Sequence, residues 1–278
     1  MFKGQVSLEW LLLFGGILVL SILVIGVFTG FLSSEGTKKQ QQVNVQELVR
    51  DCLTYKAIGN GYYPPFDSSS QGYFPFRGNT LSDAVKDWSN NRFVLTYVNL
   101  SGGNPTPGYN GDTEQGLTSV LFNSTQVLVF VGGTTAFNVN NQFTLEFWFE
   151  PLTTPSQSYL FNSSNLGVWF NSSGVSLIGS SSVYAPMIIQ SNAWNYVAIS
   201  FDGTNAVFYL NGNRSSSYPF SFTSSSSNLS IGGDASSYTL GLNGYLDLFR
   251  ISNVSRDDTA IYKANICEDA SNDIVMRP

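Results

Sequence analysis

The 23 residues from Trp10 to Leu32 carry no charged side chain, and the next charge along the chain is Glu35. Wound as an α-helix at 1.5 Å per residue, this run is long enough to cross a hydrocarbon core of about 30 Å. It therefore belongs in a membrane or in an equally dry protein environment. Gly15, Gly16, Gly26 and Gly30 are spread along it, and such small residues let helices approach closely in an apolar setting. A secretory signal would have a shorter apolar core ending in small residues, whereas here the processing point that the residues suggest, Lys3-Gly4 before Gln5, precedes the apolar run.

From Gln40 to Ala57 the pattern becomes one-faced. Val45, Leu48, Val49, Cys52 and Leu53 recur at spacings of three and four, which predicts an amphipathic helix, and Gly59-Asn60-Gly61 ends it. The two stretches read as one long helix, or two nearly collinear ones, over residues 5–58.

The pentapeptide Gln5-Val6-Ser7-Leu8-Glu9 is set directly against the apolar run. This arrangement resembles the class III signal sequences of archaeal type IV pilin-like proteins. The resemblance implies that a prepilin peptidase cuts between Gly4 and Gln5, leaving the helix on the mature chain. It also implies that Glu9, at mature position five, pairs with the new Gln5 amine of a neighbouring pilin-like subunit during assembly. The alternative is an uncleaved membrane anchor with Glu9 at the membrane interface.

Only 12% of the 278 residues are charged, about half the usual share, and Ser, Asn, Thr and Gly fill the polar quota. That composition points to a β-rich extracellular surface. The net charge is −6 and no basic tract exists, so nucleic acid lacks the positive partner it needs. The sequence has no His, which excludes Ser-His-Asp and Cys-His catalysis and His-bearing zinc sites. The two cysteines, Cys52 and Cys267, are a candidate disulfide in an exported chain.

Residues 59–116 read as an irregular connecting region rich in Pro, Gly and Ser. Within it, Ser82 can cap a short helix through Trp88, and Phe93 to Leu100 reads as a strand. From Leu117 onward short strands alternate with turn clusters, eleven of them up to Ile251, which implies a two-sheet sandwich. Three stretches narrow the type. Phe143 to Phe149 alternates; Trp194 to Gly203 leads through Val207 to Leu210 into the turn Asn211-Gly212, a strong hairpin signal; and Leu229-Ser230-Ile231-Gly232-Gly233 precedes Gly244 to Ile251. In this order they resemble the laminin G-like, concanavalin A-like jelly-roll family over residues 117–255, leaving 256–278 as a C-terminal extension. The expected fold is thus mainly β, a jelly-roll sandwich on a long N-terminal α-helix, after a cleaved leader of residues 1–4.

That family hosts sugar binders, scaffolds and glycosidases, so function has to come from residues. A glycosidase needs two carboxylates roughly 5 to 9 Å apart. The close acidic pair is Glu146 and Glu150, which at a spacing of four lie on one strand face about 13 Å apart, too far for either mechanism. No catalytic residue is assigned, and the chain reads as a non-enzyme. Asp202, in a Phe-Asp-Gly-Thr turn, is read as a turn cap. For Asp247 two readings stay open: a structural calcium ligand, by resemblance to related sandwiches, or a carboxylate paired with Arg250 or with backbone amides. Phe147, Phe149, Trp169, Phe201 and Phe208 are read as core, whereas Tyr184, Tyr218 and Tyr238 lie among Ser and Gly, where a ring can stack on a sugar. The acceptor triplet Asn-x-Ser/Thr occurs at Asn99, Asn123, Asn162, Asn171, Asn213, Asn228 and Asn253.

These features combine into one expectation: a pilin-like surface-filament subunit, held in the membrane as a precursor, that presents a lectin-like head to glycans or surfaces. The alternative is a membrane-tethered carbohydrate-binding protein that never polymerises.

Overall fold

A computed structural model describes residues 68–76, 85–99, 108–112, 117–139, 141–153, 157–234, 240–262 and 264–265. The chain divides into two units, Met1–Thr54 and Tyr55–Pro278, and every described residue falls in the second. The expected helix over 5–58, with Gly4, Gln5, Glu9 and Cys52, lies outside the described residues, as do Cys267, Tyr238 and Ser82. Among the described residues no helix is long and apolar enough to cross a membrane.

Fifteen strands follow one another: β1 (Ser70–Phe74), β2 (Thr96–Asn99), β3 (Gly108–Asp112), β4 (Leu117–Asn123), β5 (Gln126–Phe130), β6 (Phe143–Pro151), β7 (Ser158–Asn162), β8 (Gly167–Asn171), β9 (Gly174–Ile178), β10 (Ser182–Ala185), β11 (Asn195–Phe201), β12 (Asn205–Leu210), β13 (Asn213–Pro219), β14 (Leu229–Ile231) and β15 (Asn243–Ser252). A single helical turn, α1 (Gly133–Ala136), precedes β6. All pairings are antiparallel and build two sheets. The first runs β13-β12-β11-β6-β15-β4-β3 and the second β10-β9-β8-β7-β14-β5-β2. The chain crosses repeatedly between them, giving a jelly-roll sandwich.

Period-two alternation decides which face of each strand is buried. On β6, Phe143, Leu145, Phe147 and Phe149 point into the sandwich, where they meet Val168, Phe170, Leu160 and Phe161 of the second sheet. Rings interlock across the gap, Phe149 with Phe170 at 4.8 Å and Phe161 with Phe249 at 5.7 Å between centroids. Each such buried side chain is worth about 1.5–3 kcal/mol relative to its exposed state. The expected hairpin is present: Asn211 (φ 50) and Gly212 (φ 79) supply the two positive φ values of a type I′ turn between β12 and β13.

Several expectations need correcting. The region read as irregular contributes β1 and β3 besides the strand expected within Phe93 to Leu100, which is β2. β1 pairs with the second half of β15, beside the stretch that β4 occupies, and β2 pairs with β5. Lys86 is not helical but bridges to Val94. Between them the buried Asp87 accepts hydrogen bonds from the backbone amides of Tyr73, Ser89 and Phe93 and from the Ser89 hydroxyl. Tyr73 comes from a different strand, so the turn residues Asp87 and Ser89 do not by themselves announce the contact. The strand expected from Val183 to Ile189 stops at Ala185, because Pro186 has no amide to continue the ladder. The mostly exposed, Ser-rich β13, the second arm of the Asn211-Gly212 hairpin, is held by backbone pairing to β12 rather than by apolar alternation.

The C-terminal segment beyond Ser255 is also packed. Residues 258–262 are helical, and Ile261 and Ala264 cover the outer face of the first sheet against Tyr73, Trp148, Tyr196, Tyr209 and Leu248. Thr144 and Ser200 pin the approach: the Thr144 hydroxyl donates to the Val254 carbonyl at 2.7 Å, and the Ser200 hydroxyl donates to the Arg256 carbonyl at 2.9 Å.

Candidate functional site

The two outer sheet faces differ in what they leave free. On the first, Glu146 and Arg250 are directly opposed on β6 and β15 and wholly buried. Arg250 Nε donates to Glu146 Oε2 at 2.5 Å and Nη2 donates to Oε1. The Tyr196 hydroxyl donates to Oε1 at 2.6 Å, and Arg256 stands 3.6 Å from Oε2. Burial pushes the Glu146 carboxyl up, but Arg250, Arg256 and the Tyr196 hydroxyl outweigh it, and the net shift is downward from 4.5. A carboxylate so held is a fixed anion and has no proton to give. Glu150 shares its strand face, as expected, but pairs in register with Tyr245. This face is structural, closed over by Ile261 and Ala264.

The outer face of the second sheet carries aromatic rings. On β7, β8 and β10 the aliphatic and phenyl side chains Leu160, Phe161, Val168, Phe170 and Ala185 point inward, which sends Tyr159, Trp169 and Tyr184 outward. The register places them in one row: Tyr159 opposite Trp169, Trp169 opposite Ser176, and Ser176 opposite Tyr184. Trp169 and Tyr184 lean together over Ser176, with centroids 6.3 Å apart and planes 33° apart, and leave that serine only 3% exposed. Tyr184 remains 40% exposed, and Tyr159 and Trp169 are half-buried.

Gly174 lets the Tyr184 ring lie down on the sheet. A Cβ there would stand 2.6 Å from the ring and closer still to the Ala185 carbonyl. At the other end, burial first and then the charge of Asp234 raise Tyr159 above its ordinary 10.0. A carboxylate thus lies near the row. Half-exposed rings with polar neighbours suit a ligand that offers both C–H faces and hydroxyls, since the negative ring face attracts polarised C–H groups.

Trp169 was expected in the core. Its strand is bulky on both faces, and sequence alone left undecided which parity turns inward. The signal that marks the row is that each ring sits out of phase with the aliphatic residues of its own strand.

Tyr184 lies on β10 and Tyr218 on β13 rather than in loops, and Tyr218 packs edge-on against the buried Phe208 at 5.8 Å. Asp202 caps its turn, accepting from the amides of Thr204 at 2.8 Å and Asn205 at 2.7 Å. Those bonds, Asn205 first, hold its carboxyl below 3.8. Asp247 is the extra residue of a β-bulge between Leu246 and Leu248. Arg250 pairs with Glu146. Among the described residues no group of three His, Cys, Asp or Glu is placed to hold a metal, so on the carboxylate side the calcium expectation rests on Asp247 alone.

Residues 123–262 match the concanavalin A-like lectin/glucanases superfamily, the laminin G-like type, and span half of the chain. The chain belongs to the concanavalin A-like lectin/glucanases superfamily. Residues 3–28 match the class III signal peptide, as the pentapeptide implied. A comparison with curated proteins finds no match.

Among solved structures, domain 4 of AbnA, a GH43 extracellular arabinanase from Geobacillus stearothermophilus, in complex with arabinotriose, is similar at a TM-score of 0.57 and 19% identity. The similarity covers 71% of this chain and 98% of that one. The botulinum neurotoxin serotype D/C VPI 5993 binding domain is similar at 0.54 and 14%, covering 73% of this chain and 52% of that one. A botulinum neurotoxin DC binding domain in complex with SialylT gives 0.53 and 15%, with the same coverage. The chain spans about half the length of these toxin domains. At such identities the likeness establishes the concanavalin A-like fold, and the ligands named are those of the other proteins.

Proposed function

We propose that this chain is a pilin-like surface protein whose class III signal delivers it for processing and whose concanavalin A-like head binds carbohydrate without catalysis. The observation that carries the reading is the row Tyr159–Trp169–Tyr184, in register on the free face of the second sheet. Large aromatic rings left exposed together mark interaction surfaces in soluble domains. Two of the similar folds were solved with sugar ligands, arabinotriose and SialylT, which supports the ligand class. Non-catalytic binding is supported by Glu146, which is spent in a buried ion pair. The stalk would be cut before Gln5 by a prepilin peptidase, and Glu9 would pair with the Gln5 amine of the next subunit in a surface filament.

The test is a glycan array probed with the mature protein produced without N-glycosylation, followed by Trp169→Ala and Tyr184→Ala. Each substitution removes a stacking partner worth about 0.5–1.5 kcal/mol, so affinity falls roughly tenfold at the upper end while circular dichroism is unchanged. Absence of binding to any glycan would overturn the ligand class, and binding untouched by both substitutions would overturn the row.

A further inference from the structure

Six of the seven acceptor triplets have described side chains, and they differ in whether the hydroxyl two residues after the asparagine is free. The Thr125 hydroxyl donates to Asn123 Oδ1. Ser164 is bonded to Ser225, and Ser255 to Ser200. The Ser215 hydroxyl accepts from the Phe208 amide and donates to the Ser216 carbonyl, and the buried Ser230 hydroxyl donates to the carbonyls of Asn162 and Gly233. Asn162, Asn253, Asn213 and Asn228 therefore each have an engaged partner hydroxyl, as Asn123 does.

Asn171 differs. It turns the chain between β8 and β9, its Oδ1 accepting from the amides of Ser173 at 2.8 Å and Gly174 at 3.0 Å. That leaves Nδ2, the atom a glycan is attached to, with no partner among the described residues. The Ser173 hydroxyl likewise bonds to no described residue and is exposed. A folded head thus offers a glycosyl transferase one described triplet with both reacting ends free.

The position of that asparagine has a consequence. Asn171 stands on the outer face of β8, one pleat or about 6.6 Å from Trp169, and it pairs in register with Gly174, on which the Tyr184 ring lies. We propose that Asn171 carries an N-linked glycan whose first sugars lie over the Trp169–Tyr184 pair, so that modification covers the aromatic row.

In the transfer, Nδ2 forms a bond to the anomeric carbon of an oligosaccharide carried on a lipid phosphate or pyrophosphate. The anomeric C–O bond to phosphate breaks, the lipid phosphate leaves, and one Nδ2 proton passes to solvent. The ring faces then stack on a sugar held at very high effective concentration by its covalent tether, and a free ligand has to displace it. The covering itself requires only the triplet and the rings; competition with outside glycans rests on the function proposed above.

The experiment uses full-length mature protein isolated from its native cell surface. Mass spectrometry of the Asn171 peptide is expected to find a glycan. Hydroxyl-radical footprinting is expected to find Trp169 and Tyr184 protected, with oxidation rising several-fold in Ser173→Ala and returning to the native level in Ser173→Thr, which restores the acceptor. Neither variant disturbs the turn, which uses only the Ser173 amide. Trp194, on the first sheet's outer face, serves as an unchanged internal reference. An unmodified Asn171, or equal oxidation with and without the glycan, overturns the proposal. If protection is lost in Ser173→Ala but binding to immobilised glycans does not increase, the modification stands and the carbohydrate-binding reading fails instead.

Discussion

Glu146 and Arg250 are 104 residues apart in the chain, yet they stand directly opposite each other because one bulged residue, Asp247, resets the alternation of β15. Leu246 points into the sandwich and Leu248, of the same parity, points out. The inserted residue therefore carries Arg250 to the outer face, where Glu146 is, and leaves Phe249 and Ile251 in the core. The bulge is what makes the ion pair possible.

Removing Arg250 leaves Glu146 buried with only Arg256 at 3.6 Å and the Tyr196 hydroxyl to compensate it. Arg250→Met alone is expected to lower unfolding stability by about 3–5 kcal/mol, while the paired Glu146→Leu/Arg250→Met variant recovers most of that loss. Urea denaturation of the four members of the cycle checks this. Equal losses from the single and double variants would contradict it.

The same pair sets an acid limit. The Glu146 carboxyl is held below its ordinary 4.5 in the folded state, so its contribution is complete above that value and is lost as pH falls through the lower folded value. Melting temperature measured from pH 6 downward should decline in the native protein below pH 4.5. In Glu146→Gln this part of the decline should be missing.

Tyr209 provides the alkaline counterpart. Its hydroxyl donates to Asp258 at 2.6 Å, and Arg214 donates to the same oxygen at 3.1 Å. Burial first, then Asp258, pushes the phenol up to about 12. Its contribution is complete below the ordinary value of 10.0 and is lost as pH rises through about 12. Tyr209→Phe is expected to cost about 0.5–1.5 kcal/mol at neutral pH and to speed amide exchange in residues 258–262. Unchanged exchange there would mean that the C-terminal segment is held by Ile261 and Ala264 alone.

Gly174→Ala tests the seating of the Tyr184 ring. Crowding against the ring and the Ala185 carbonyl should destabilise the head by about 1–3 kcal/mol and weaken glycan binding, even though no ligand-contacting side chain has been removed. Full binding by a folded Gly174→Ala head would show that the lie of the ring is immaterial.

Processing and assembly separate on two positions. A bulky residue at Gly4 should leave uncleaved precursor, whereas Glu9→Ala should be cleaved before Gln5 yet enter filaments poorly, because the buried Gln5 amine would lack its partner. Mass spectrometry of the N-terminus and electron microscopy of surface filaments read the two steps. Normal filaments from Glu9→Ala would overturn the pairing of Glu9 with the Gln5 amine.

Much of the head was legible in local pattern. The alternation of Phe143 to Phe149 with Trp194 to Phe201, and the Asn211-Gly212 turn, announce strands, their inward faces and one hairpin, because each depends only on residues two apart or on the φ preferences of single residues. The class III signal is legible for the same reason: a charge pattern against an apolar run is a property of contiguous sequence. What local pattern does not contain is how strands meet. Whether Trp169 or its neighbours Val168 and Phe170 turn inward, whether Arg250 faces Glu146 or Asp247, and whether β1 and β2 join the sheets all depend on register and on a single bulge. Register is set by summed packing across both sheets, where a shift of one residue exchanges the two faces of a strand. The row Tyr159–Trp169–Tyr184 exists only in that register. Three unremarkable aromatic residues, spread over 26 positions of the chain, become one surface because four strands are hydrogen-bonded in an order that no single strand encodes.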